Sequence, residues 1–181
     1  MKTKLMSVLL AAAMLSALTA CGGSSGNHPS TESTPPASKA PEKTDETLGV
    51  FHKDATLDET VMVDEGGVKI TATGLTYTND SVELGLTIEN NSGKDLSFIS
   101  GSLGYSCNSI NGYMVEEGYL NCDVANGKKA NDTIQFRYDA LMLYGIDEIA
   151  DLEIGFDMTD DDYNHTYSGP RQVKTSAFDA H

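Results

Sequence analysis

The sequence predicts an all-β fold: an antiparallel sandwich of about seven to eight strands with at most one short helical turn. Two patterns carry this. Apolar and polar residues alternate through several segments, most cleanly at 81–90 and 150–158, the period expected of strands with one buried face. Turn formers punctuate these segments at short intervals, as in a sandwich whose strands are joined by tight connections.

The chain begins Met1-Lys2-Thr3-Lys4 and then runs apolar from Leu5 to Ala20. A basic start, a short apolar stretch and small residues at the exit read as a secretory signal, and the run is too short and alanine-rich for a membrane span. The exit, Leu18-Thr19-Ala20-Cys21, resembles the lipobox of bacterial lipoproteins. That resemblance implies cleavage before Cys21, acyl chains on its sulfur and new amino terminus, and anchoring at the extracytoplasmic face of the cell membrane. The alternative is an ordinary signal peptide beside a coincidental cysteine. Cleavage would take Lys plus Arg from 12 to 10 against 27 acids, leaving a net charge near −17. So acidic a surface repels nucleic acid and anionic headgroups, so acyl chains, not basic residues, would hold the protein to a membrane.

Residues 22–47 read as a linker rich in Gly, Ser, Thr and Pro, without an apolar side chain larger than alanine or proline. Some 26 flexible residues reach roughly 25–30 Å. Gly22-Gly23-Ser24-Ser25-Gly26 matches a G-x-S-x-G nucleophile pattern in letters only, because that chemistry requires a preceding strand and a following helix.

Residues 48–181 form the domain. Val61 and Val63, the turn Asp64-Glu65-Gly66-Gly67, then Val68, Ile70 and Ala72 predict a first hairpin. The apolar parity shifts to Leu75 and Tyr77, which predicts a β-bulge near Gly74. In the next strand Val82, Leu84, Leu86 and Ile88 share one face. Residues 96–107 read as one strand with glycines at 101 and 104. Asn111-Gly112 is a strong hairpin turn and Glu116-Glu117-Gly118 a weaker one. Leu120, Cys122 and Val124 alternate, as do Ile134, Phe136 and Tyr138. Residues 139–143 give the helical turn, stopped by Gly145. Leu152, Ile154, Phe156 and Met158 form the late alternating strand, and 163–175 the last extended segment, interrupted at Gly169-Pro170.

The stretch from Val82 through Glu89 into Asn90-Asn91-Ser92, with Ile149-Ala150-Asp151-Leu152-Glu153-Ile154-Gly155-Phe156, resembles the immunoglobulin-like domains of extracytoplasmic lipoproteins in low-GC Gram-positive bacteria. The resemblance spans about residues 61–175. It implies an immunoglobulin-like sandwich that acts as a binding or spacer module and brings no catalytic residues. There is no tryptophan, so the Trp-on-disulfide packing of antibody domains is missing.

Candidate sites are few. Asp157, Asp160, Asp161 and Asp162 could offer Ca2+ the oxygen ligands a hard cation takes, although the EF-hand spacing is absent; the alternative is an acidic, solvated turn. His28, His52, His165 and His181 lack a second histidine at metal-ligand spacing. Tyr105, Tyr113, Tyr119, Tyr163 and Tyr167 lie near turns, and Tyr113 and Tyr119 are the candidate binding residues. Cys107 and Cys122 are the only thiols left once Cys21 is acylated, which predicts a local disulfide; two reduced, half-buried cysteines are the alternative. Together these readings give a non-catalytic, membrane-anchored module, with an envelope protein or glycan as partner and no nucleic acid. The alternative function is an accessory solute- or metal-binding lipoprotein associated with a transporter or sensor.

Overall fold

The computed structural model describes residues 49–101 and 107–181. They form ten strands: β1 Thr60–Glu65, β2 Val68–Tyr77, β3 Ser81–Asn90, β4 Leu96–Ser100, β5 Asn108–Ile110, β6 Tyr113–Val115, β7 Leu120–Val124, β8 Lys128–Arg137, β9 Asp151–Asp160 and β10 His165–Lys174. One helix, α1 Tyr138–Leu143, joins β8 to β9. All strand pairs are antiparallel.

The first sheet has the order β1-β2-β3-β8. In the second, β10 lines one side of β9, while both β4 and β5 pair with β9, at its Asp157–Asp160 and Leu152–Ile154 stretches. β7 then pairs with β4 and β6 with β5. Thus β4 and β5 are two halves of one row, and β7 and β6 two halves of the next. From Ile99, opposite Asp157, to Asn108, opposite Ile154, the sequence advances nine residues while β9 advances three. The expected single strand over 96–107 is therefore corrected: it ends at Ser100 and pairing resumes at Asn108, while residues 102–106, with Tyr105, lie outside the described residues.

Counted as rows there are eight, four in each sheet. Their order is immunoglobulin-like: β2, β3 and β8 occupy the A, B and E places, and β10, β9, β4/β5 and β7/β6 the G, F, C and C′ places. β1 is an additional edge strand, and the D place has no counterpart among the described residues.

Local chemistry accounts for the elements. Gly66-Gly67 closes the first hairpin, and β3 presents fully buried Val82, Leu84 and Ile88 to the core as its parity requires. The bulge falls between Ala72 and Gly74. Asn111 and Gly112, at φ 50° and 80°, supply the left-handed pair that a two-residue hairpin turn needs. α1 ends as the Gly145 N–H donates to the Met142 carbonyl at 3.0 Å and that of Ile146 to Leu141 at 3.1 Å. β9 contributes Leu152, Ile154 and Phe156, all fully buried, opposite Leu84, Leu86, Ile134 and Phe136 from the other sheet in one core. Gly118 is sterically fixed: at φ 84° it packs where a Cβ would collide with the Phe136 ring.

Candidate functional site

The sandwich has two unlike ends. At one, the described chain enters: Phe51 stacks on Tyr138 with ring centroids 4.5 Å apart, and the His52 N–H donates to the Asp147 carbonyl at 2.6 Å. The other end gathers the β3–β4, β7–β8 and β9–β10 connections, in the places that the B–C, C′ and F–G loops occupy in variable domains.

Asn90, the last residue of β3, organises these loops. It is fully buried, and its side-chain amide donates to the carbonyls of Lys94 (2.8 Å) and Val124 (2.7 Å). Its side-chain oxygen accepts from the Ser92 N–H (3.0 Å) and hydroxyl (2.7 Å). The β3–β4 and β7–β8 connections are cross-tied further, the Gly93 N–H donating to Asn126 Oδ1 and the Asn126 N–H to Asp95 Oδ1. On the other flank, Asp160 Oδ1 accepts from the N–H groups of Asp162 (3.0 Å) and Asn164 (2.9 Å), and the Asn164 amide reaches both carboxylate oxygens. Lys94 completes the knot by pairing with Asp160 Oδ2. Lys94, then the Asn164 donors, hold the Asp160 carboxyl well below the usual carboxylate range, and Asp160 in turn raises the Lys94 ammonium pKa.

Between the tied loops lies an open hollow of about 560 Å³, walled by Asp95, Asp123, Asp160 and Asp161 with Thr159 and Tyr163. Tyr163 sits at its rim with φ 61° and is almost wholly exposed. The size suits a small ligand or one side chain of a partner. Chemically the hollow offers the carboxylates of Asp95, Asp123 and Asp161 and the Tyr163 phenol, while the inward Asp160 carboxylate is taken up by Lys94 and Asn164 beneath it.

The four carboxylates proposed for Ca2+ do not converge. β9 points Asp160 inward with Met158, whereas Asp157, of opposite parity, bonds His165 Nδ1 at 3.0 Å from the outer face. Asp161 and Asp162 are exposed in the turn. Among the described residues no group of three or more His, Cys, Asp or Glu side chains is placed to hold a metal.

Asp157, His165 and Thr159 have the composition of a nucleophile relay without its geometry. Carboxylate and hydroxyl both meet Nδ1, the latter at 3.2 Å, whereas a relay needs them on opposite ring nitrogens.

The expected disulfide is corrected. Cys107 and Cys122 are free thiols, both half-buried. Cys122 lies opposite Phe98, which pairs with Met158, whereas Cys107 precedes Asn108, which pairs with Ile154. That offset is about 10 Å along β9, beyond the roughly 7 Å that a disulfide spans. Burial first, then the nearby Asp132 carboxylate, push the Cys122 thiol pKa up, so it is a poor nucleophile.

Tyr113 and Tyr119 do not share a site. Tyr119 lines a cleft with Met114, Cys107 and Tyr144, while Tyr113 borders a separate hollow with Ile146, Asp147 and Phe178. Both lie near the chain-entry end, remote from the hollow at Tyr163. Cys21, residues 18–20 before it and residues 22–47 lie outside the described residues. No family model, curated protein or solved structure matches the chain.

Proposed function

We propose that the protein is a lipoprotein, anchored through acylated Cys21 at the extracytoplasmic face of the membrane, and that it acts as a non-catalytic binding module of the envelope. Its partner is an envelope protein or glycan engaged at the three-loop end. The observation that carries this reading is placement: Asn90 and Asp160 stiffen three loops around an acidic hollow at the end opposite chain entry. A stiff, loop-built surface lowers the ordering cost of binding, and its carboxylates favour cationic or hydroxyl-rich groups. The lipobox at Leu18-Cys21 supports the anchor, and the fold supports a module that presents loops.

Binding at the hollow is favoured over metal handling because no group of three or more His, Cys, Asp or Glu side chains among the described residues is placed to hold a metal, and over catalysis because the His165 contacts lack relay geometry. Two measurements test the proposal. Cys21→Ser expressed in a bacterium that acylates lipoproteins should leave the protein unacylated and shed or unprocessed; a variant still membrane-bound like the parent refutes the anchor. Envelope glycans and purified envelope proteins screened against the chain should yield a ligand whose affinity falls at least tenfold with Asp161→Lys or Tyr163→Ala, both at exposed positions. A ligand indifferent to both substitutions refutes the three-loop site.

A further inference from the structure

Six large apolar or aromatic side chains are exposed around the chain-entry end. Val50 directly precedes Phe51, whose ring rests on Tyr138 at the start of α1. Leu143 and Tyr144 close that helix, and Tyr144 meets Met114 and Tyr119 across a cleft. Tyr113 borders the neighbouring hollow beside Ile146 and Asp147. Val50 is 83% exposed, Leu143 79%, Tyr119 69% and Met114 62%. Of the other described large hydrophobic residues only Val61, Tyr163 and Tyr167 are comparably exposed, and they lie elsewhere. Such a cluster of exposed apolar side chains marks an interaction surface, and the point where the described chain begins indicates its partner. The described chain begins at Gly49 at this end, and forty-eight residues precede it in the sequence.

We propose that this end is a membrane-contact surface, with Leu143, Met114 and the tyrosines resting in the interfacial layer of a lipid bilayer. The proposal rests on the anchor at Cys21 proposed above. Tyrosine, with an apolar ring and a polar tip, is the side chain suited to that depth, and Leu143 and Met114 supply apolar area. Asp139, Asp147, Glu148 and Glu116 border the patch; Lys53 covers the Tyr138 ring and Arg137 pairs with Glu117. Attraction to anionic lipid therefore contributes nothing, and the contact is apolar and favours an uncharged or zwitterionic surface. Contact there would aim the three-loop end away from the membrane.

The chain has no tryptophan, so single reporters are clean. Full-length protein carrying Leu143→Trp or Tyr163→Trp, produced with its lipid, is reconstituted into phosphatidylcholine vesicles containing a doxyl-labelled quencher lipid. Flotation reads the anchor and quenching reads the contact. The expected result is co-flotation of both variants, with strong quenching at 143 and none at 163. Adding Met114→Glu and Tyr119→Glu to the 143 reporter should reduce the quenching while flotation persists. Co-flotation with equal quenching at the two positions, or with no quenching at 143, overturns the membrane contact alone and leaves the patch to solvent, a protein or a second copy. Failure to float overturns the anchor and this proposal with it.

Discussion

Asn90→Asp and Asn90→Ala separate a structural knot from a merely buried polar residue. Asn90 donates to two carbonyls and accepts two bonds from Ser92, all inside the loop base. Alanine removes four bonds of roughly 0.5–1.5 kcal/mol each, partly replaced by water at the Ser92 and Lys94 side, and leaves the buried Val124 carbonyl unpaired. The net cost is about 3 kcal/mol, or a melting temperature lower by about 10–15 °C for a domain of this size. Aspartate has nearly the same shape but sets a carboxylate oxygen against the Lys94 and Val124 carbonyls, and it buries a charge. It should cost more than alanine, about 4–5 kcal/mol. Urea denaturation followed by circular dichroism measures both, using chain without its leader and with Cys21→Ser. If Asn90→Asp proves as stable as Asn90→Ala, or more so, the assigned amide orientation and the two carbonyl contacts are wrong.

Other consequences follow from the same geometry. Phe156→Ala, at a fully buried position between the sheets, should cost about 3–5 kcal/mol, again read by urea denaturation. Glu153→Ala should cost about 1 kcal/mol, because Glu153 accepts from Ser109 Oγ at 2.7 Å; equal losses for the two would refute the β9 register. Mass spectrometry after alkylation of unfolded, non-reduced protein should count Cys107 and Cys122 as two reactive thiols, whereas an unalkylated pair would restore the disulfide. Because the folded Asp160 carboxyl titrates below its unfolded value, its pairing contributes fully above the ordinary carboxylate range and is lost as pH falls through the folded value. Lys94→Met, which removes the largest cause of that shift, should therefore move acid unfolding to higher pH, and an unchanged acid midpoint would deny Lys94 that role.

Much of the fold was written in local pattern. β3 and β9 lie where strict alternation placed them, the bulge falls beside Gly74, and Gly145 ends the helix. The interrupted row was not legible. Nothing in residues 96–107 distinguishes a continuous strand from two half-strands, because the difference is decided by pairing with β9, more than forty residues later. The divergence of the four aspartates was legible in the sequence: extending the parity of Leu152, Ile154, Phe156 and Met158 puts Asp160 inside and Asp157 outside. Parity likewise groups Cys122 with Leu120 and Val124 on the inner face. Lys94 carried no local mark of its role, since Asp160 comes from another loop. Asn90 ties Ser92 and Lys94 within its own loop, as an Asn-x-Ser turn can, and only its bond to Val124 had no local sign. The separation of Tyr113 from Tyr119 depends on α1 and the carboxyl-terminal turn packing beside β6, which no short-range pattern encodes.

The split row uncouples chain length from alignment. Each half-strand is registered independently against β9, so residues added between Gly101 and Cys107 need not displace the pairs on either side. Elsewhere in a sheet, a single inserted residue reverses the facing of every side chain beyond it. Here insertions of odd or even length can be absorbed alike.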